Sequence, residues 1–139
     1  MSDMASAQRR ERLSPSEKRF LISHPHLVLR ISQNAYLAEQ EADRRGYRQA
    51  QRGVGDAFHS CYWSALLARD IGVEQAQAFF KAHGEREDAE PGAASIELRN
   101  SSVGISIGRS HPGASNKALA NRCAWALEVG RLRVAPHRN

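Results

Sequence analysis

The chain is predicted to be all-α, a single compact domain of five to six helices, and three observations predict it. Apolar residues recur at three- and four-residue steps through the long segments. Helix-starting residues stand before those segments and glycines stand after them. The one stretch with strand-like alternation, Val103, Ile105 and Ile107, has no second strand to pair with. A lone strand leaves its backbone donors and acceptors unsatisfied, so this stretch is also read as a helix, with Gly104 and Gly108 on a closely packed face. At 139 residues, 41% hydrophobic and 25% charged, the composition suits one globular domain with one core.

Taken in order, residues 1–13 read as a polar tail, 14–132 as the helical domain and 133–139 as a basic tail. Ser14 is placed as an N-cap, Pro15 in the first helical position and Glu17 as the returning member of a capping box. That short helix carries Phe20, Leu21 and Ile22 and ends before His24-Pro25-His26. Pro25 opens a longer helix in which Leu27, Ile31, Ala35 and Ala38 recur, with Leu37 beside them and Gly46 as the stop. The polar run YRQAQRGVG follows as a linker. Asp56 is expected to cap the third helix. On it, Phe58, Tyr62, Leu66 and Arg69 form one stripe, and Cys61, Ala65 and Ala68 form an adjoining one. Gly72 is its C-cap. The fourth helix turns Ala76, Phe79 and Phe80 inward, and residues 86–95 read as a loop. After the glycine-bearing helix, Ser115 caps the last one, in which Leu119, Cys123, Ala126 and Leu127 keep the period until Gly130.

The net charge of +5 and the isoelectric point near 9.8 admit an anionic partner such as a lipid headgroup or a cell-wall polymer. Nucleic acid is disfavoured, because basic and aromatic residues do not interleave as on stacking platforms; DRRGYRQAQR is the one folded basic candidate. No run approaches the ~20 apolar residues that a membrane span needs, and the first residues lack the apolar centre of a secretory signal. The expectation is therefore a protein that is cytoplasmic in the producing cell, with delivery, if any, by a signal-peptide-independent secretion system. Cys61 and Cys123 could be two buried thiols, one reactive thiol or a bridge. Their spacing is not that of a structural zinc site.

Chemistry-bearing residues concentrate in GVGDAFHSCYWSALLARDIG, residues 53–72. On a helix, Asp56, His59 or Ser60, and Trp63 share a face. A carboxylate at that spacing can orient an imidazole and fix its tautomer. The plain alternative is a capping aspartate beside a surface histidine. Cys61 and His59, as neighbours, point about 100° apart and cannot pair as nucleophile and base. His83 could reach Cys61 if the third and fourth helices form a hairpin, although Cys61 lies on the expected buried stripe. His83 with Glu85, and Glu97 with Arg99 and Asn100, stand at helix ends facing a common loop region. Acids, amides and histidines converging there would make a hydrolytic or metal-binding cleft, with a divalent metal as a candidate cofactor. Taken singly, each is also explained as a cap or a surface ion pair.

The order GDAF-H-CYWSALLARDIG, FFKAHGE, ELRNSSVGISIG and a final helix ending ALEVG resembles an uncharacterised bacterial all-helical domain family. That family is found at the C-termini of secreted and polymorphic-toxin-like proteins, with the approximate pattern G-D-A-F-R-H-x-Y-W, A-H-E, D-L-H-N-N-x-x-G. The resemblance covers about residues 16–132. Its matches are Gly55, Asp56, Ala57, Phe58, Tyr62, Trp63, Ala65, Leu66, His83, Asn100 and Gly104. Where the pattern has Arg-His, this chain has His59-Ser60. The Glu after His83 is Gly84, with Glu85 a step later, and the Asp, His and second Asn of the third block are Glu97, Arg99 and Ser101.

Two functions follow as expectations. One is a small toxin-like or effector hydrolase acting on an anionic bacterial polymer or lipid. In it, Asp56, His59 and His83 would be catalytic, and Trp63, Glu97, Arg99 and Asn100 would hold substrate. The other is a non-enzymatic helical adaptor in a delivery or phage system, a family member whose polar positions have been rewritten. An immunity or carrier protein is the expected partner.

Overall fold

A computed structural model of the chain describes residues 13–47, 53–85 and 92–134. These residues form six α-helices and no strand. Helix α1 spans Pro15–Ser23, a 3-10 turn spans Pro25–Leu27, and α2 spans Val28–Arg44. Then come α3 (Val54–Ile71), α4 (Val73–His83), α5 (Ala93–Ser110) and α6 (Asn116–Glu128). The first of these begins as its sequence dictates. Ser14 Oγ accepts from the Glu17 amide while the Glu17 carboxylate accepts from the Ser14 amide, a complete capping box with Pro15 behind it.

Helix α3 is the axis of the molecule. Eleven of its 18 residues are buried, and a helix apolar on every side belongs inside a protein rather than on its surface. Helices α2, α4, α5 and α6 all pack on it. The expected stripes face inward except at Arg69: Phe58, Tyr62 and Leu66 are buried, and so are Cys61, Ala65 and Ala68, while Arg69 is half-buried at the edge. From α2 the core receives Ile31, Ala38 and Ala42, from α4 Ala76, Phe79 and Phe80, and from α6 Leu119, Cys123 and Ala126. Gly72, at φ 95°, ends α3 and lets α4 start one residue later.

Glycine explains how α5 lies against α3. A Cβ on Gly104 would sit 1.9 Å from Ser64 Oγ and 2.1 Å from the Cys61 carbonyl oxygen; one on Gly108 would sit 2.5 Å from the Ala65 carbonyl oxygen. The two helices touch backbone to backbone along these glycines. The alternating Val103, Ile105 and Ile107 therefore lie on a helix, as the missing partner strand required.

Two expectations are corrected. Asp56 does not cap α3: the cap position is Gly53, in the left-handed region at φ 91°, and Asp56 stands exposed in the first turn. There its negative charge still suits the amino end of a helix. Residues Ala93–Ser95, read as loop, already belong to α5, which starts after Gly92 at φ 86°. Residues 1–12 of the expected tail, residues 48–52 of the linker and residues 86–91 of the loop lie outside the described residues, as do residues 135–139.

Polar locks tie the helices together at their edges. Buried Asn34 of α2 donates to Asp70 at the end of α3, and Arg69 grips the same carboxylate while donating to the Ala114 carbonyl ahead of α6. Burial alone would raise the Asp70 pKa, but these donors hold it below the ordinary range. Arg45 ties Glu41 on α2 to Asn121 on α6. After α6, residues 131–134 run back along α5. The Asn100 side-chain amide donates to the Arg133 carbonyl at 2.9 Å and accepts from its amide at 2.8 Å, and Leu132 is buried beside it.

Candidate functional site

The structure gathers histidines around one tryptophan. Trp63 is buried, and its indole N–H donates to the Ile31 carbonyl across the α2–α3 interface at 3.1 Å. The His59 ring lies 5.5 Å from it, one turn earlier on α3. The His83 ring meets it edge to face at 5.2 Å from the end of α4 and stacks on Phe79 at 5.8 Å. The short link at Gly72 folds α4 back along α3, which is why residues 20 positions apart in sequence meet.

His83 is held by a residue that spacing did not single out for chemistry. Its Nδ1 lies 2.8 Å from Glu17 Oε2, and Glu17 is 1% exposed. A carboxylate oxygen accepts here, so the contact places a ring proton on Nδ1, and in the neutral ring Nε2 carries the lone pair. The second carboxylate oxygen is taken by the Ser14 amide, and Ser14 Oγ donates to the Ala82 carbonyl, next to His83. The cap of α1 and the end of α4 thus form one hydrogen-bonded unit. A buried carboxylate that orients an imidazole and fixes its tautomer is the arrangement that makes a histidine a directed base.

His59 is arranged differently. Its Nε2 donates to the Ala35 carbonyl at 3.2 Å, since a carbonyl only accepts. Burial pushes its pKa below the ordinary histidine value, against the pull of the Ala35 carbonyl and the charges of Glu39 and Asp56; His83 pushes the same way as burial. It is a neutral ring at physiological pH with Nδ1 as acceptor.

The expected site residues therefore divide. His59, Trp63 and His83 come together. Asp56 is exposed at the start of α3, and it influences His59 by charge from a turn away. Asn100 is buried and committed to the Arg133 backbone, and Arg99 donates to the Arg131 carbonyl at 3.4 Å. Those two hold the returning C-terminal segment. Glu97 is half-buried on α5. Its neighbour Leu98 comes to 3.9 Å from the point a Cβ on Gly84 would occupy, so this end of α5 does approach the end of α4. Glu85 accepts from Ser16 Oγ on α1 at 2.5 Å. Cys61 faces away from His83: its Sγ is 2.8 Å from Cys123 Sγ on α6.

Glu17 was legible only as a cap. Its second partner is 66 residues away, and no local pattern encodes such a contact. A glutamate in a box that precedes a histidine-bearing helix is the most the sequence offers.

Among the described residues no three of His, Cys, Asp and Glu gather as a metal-binding group, and no helix is long and apolar enough to cross a membrane. What the arrangement supplies is a buried carboxylate–imidazole pair, Glu17–His83, walled by Trp63 and Phe79. No curated protein and no solved structure matches the chain. A family does: over residues 18–131, nearly all of the helical domain, the chain belongs to the family described as Domain of unknown function (DUF6973).

Proposed function

We propose that this chain is a small effector or toxin-like domain that hydrolyses a bond in an anionic bacterial polymer or lipid. His83 is its general base and Glu17 is the residue that positions His83. The observation that carries this reading is the Glu17–His83 contact, a buried carboxylate on Nδ1 that directs the lone pair of Nε2. In this role Nε2 takes a proton from water or from a substrate hydroxyl as the bond to the substrate forms. The imidazolium is stabilised by Glu17 and returns the proton to the leaving group. His59, held neutral and 5.5 Å from the Trp63 ring, is a second acceptor. The net charge of +5 favours approach of an anionic substrate. The bacterial, toxin-like setting is taken from the resemblance of the sequence blocks.

The test is growth inhibition on expression in a bacterial host, in the cytoplasm and with an added export signal, for the natural chain and for His83→Gln. Glutamine keeps a donor towards Glu17 but cannot act as a base. The expected result is inhibition by the natural chain that His83→Gln abolishes while its circular dichroism stays helical. Equal inhibition by a folded His83→Gln protein would remove His83 from the chemistry.

A second reading, a non-enzymatic adaptor, draws on the apolar side chains exposed on α1 and α2. Ile22 is 79%, Leu29 67% and Tyr36 60% exposed. It predicts a stable protein complex that His83→Gln leaves intact and Leu29→Glu breaks.

A further inference from the structure

Cys61 and Cys123 are the only cysteines of the chain, they lie on different helices, and both are fully buried. Their sulfurs are 2.8 Å apart across the α3–α6 contact, with 62 residues between them in sequence. A disulfide requires sulfurs at about 2.05 Å on side chains that point at each other. Here the sulfurs are within an ångström of that bond length. Ala57, Ala65, Ala120, Ala124 and Ala126 are buried on the same two helices, and Tyr62 and Arg45 lie near enough to interact with Cys123 by charge.

We propose that Cys61 and Cys123 form a disulfide that joins α3 to α6 when the chain folds in an oxidising compartment. The co-reactant is a disulfide, either oxidised glutathione or the active disulfide of a thiol oxidase. One cysteine thiolate attacks a sulfur of the oxidant, giving a mixed disulfide and releasing one thiolate. The other cysteine thiolate attacks the protein sulfur of that mixed disulfide, the Cys61–Cys123 bond forms and the second half of the oxidant leaves. The protein loses two protons and two electrons, and the oxidant becomes two thiols. Thiolates do the attacking, and burial pushes the Cys123 thiol well above its ordinary pKa. The exchange therefore belongs to the folding chain, before the core closes. Once closed, the same burial shields the bond from reductants. The bond would enclose α4 and α5, and with them His83 but not Glu17, in one covalent loop, so a chain in transit outside a reducing cytoplasm would have α3 and α6 covalently joined.

The test uses the full chain, refolded from reducing denaturant either into a glutathione buffer rich in the oxidised form or into excess dithiothreitol. Each sample is then denatured, treated with a maleimide and weighed by mass spectrometry. The expected oxidised product is a monomer that takes no maleimide and is lighter than the reduced chain by two hydrogens. Its Tm is higher than that of the reduced chain by roughly ten degrees, from closure of so long a loop. The same comparison on the Cys61→Ala, Cys123→Ala double variant should give no difference in Tm. Two maleimides on the chain refolded under oxidising conditions would overturn the proposal. So would glutathione adducts or linked dimers in place of the internal bond, or an internal bond that lowers Tm.

Discussion

Glu17 joins two jobs in one side chain, since it completes the cap of α1 and holds His83 on α4. Replacing it with alanine removes both and leaves an imidazole and an amide without their acceptor. The expected cost is about 2–4 kcal/mol in urea unfolding. Glu17→Gln keeps the size and one acceptor oxygen, and should cost about 1 kcal/mol. A loss under half a kilocalorie for the alanine variant would show that the contact is not formed in solution. His59 makes the residue-scale pH prediction. Its folded pKa lies below the ordinary 6.5, so as pH falls through that range the unfolded chain takes up a proton that the folded chain refuses. Stability is therefore complete above this range and declines below it. Thermal unfolding between pH values of about 7.5 and 5 should show a decline that His59→Gln reduces. An identical slope in the variant would contradict the assignment. At this scale the sequence was informative about types and faces. Asp56, His59 and Trp63 do share a side of α3, but which of them met a distant partner depended on chain reversal at Gly72 and on the docking of α1.

At the scale of elements, Gly104 and Gly108 set how closely α5 approaches α3. In an ordinary exposed helix a glycine-to-alanine change adds up to about 1 kcal/mol of stability. Here the sign should reverse, because the new methyl group would meet the backbone of Cys61 or Ala65. Gly104→Ala should cost about 3 kcal/mol or more and Gly108→Ala somewhat less, by chemical denaturation. A stabilised Gly104→Ala would mean that the helices are further apart than described. The helix itself was legible from an argument about unpaired strands, and the glycines pointed to its packed face. By contrast, α6 and the segment after it were legible only in part. Ser115 and Gly130 mark the ends of the last helix as expected, yet nothing local shows that Asn100 will grip the backbone of Arg133. Asn100→Ala should cost about 1–3 kcal/mol in the full chain, and close to nothing further in a chain ending at Gly130.

For the whole molecule, the all-α class followed from periodicity and caps because those are short-range signals, and α3 carries enough apolar residues to announce itself as the centre. The arrangement of the site was less legible, because it depends on three interfaces, α1–α4, α2–α3 and α3–α4, that meet at Trp63. The core also titrates. Burial lifts the Tyr62 phenol from 10.0 to about 12, so between those values the unfolded chain releases a proton that the folded chain keeps. Stability should be intact below pH about 10 and fall as pH climbs towards 12. Tyr62→Phe should retain more of it there, as read from unfolding midpoints at rising pH.

The proposed chemistry requires Glu17 to fix the proton of His83 on Nδ1. Long-range proton–nitrogen correlation spectra of the imidazole rings, recorded in mildly alkaline buffer, report that tautomer directly and need no substrate. The natural chain should show the His83 proton on Nδ1 and the His59 proton on Nε2, and Glu17→Gln should release His83 towards the Nε2-protonated form that free imidazole side chains favour. A His83 ring that carries its proton on Nε2 in the natural chain would contradict the dyad and the mechanism built on it.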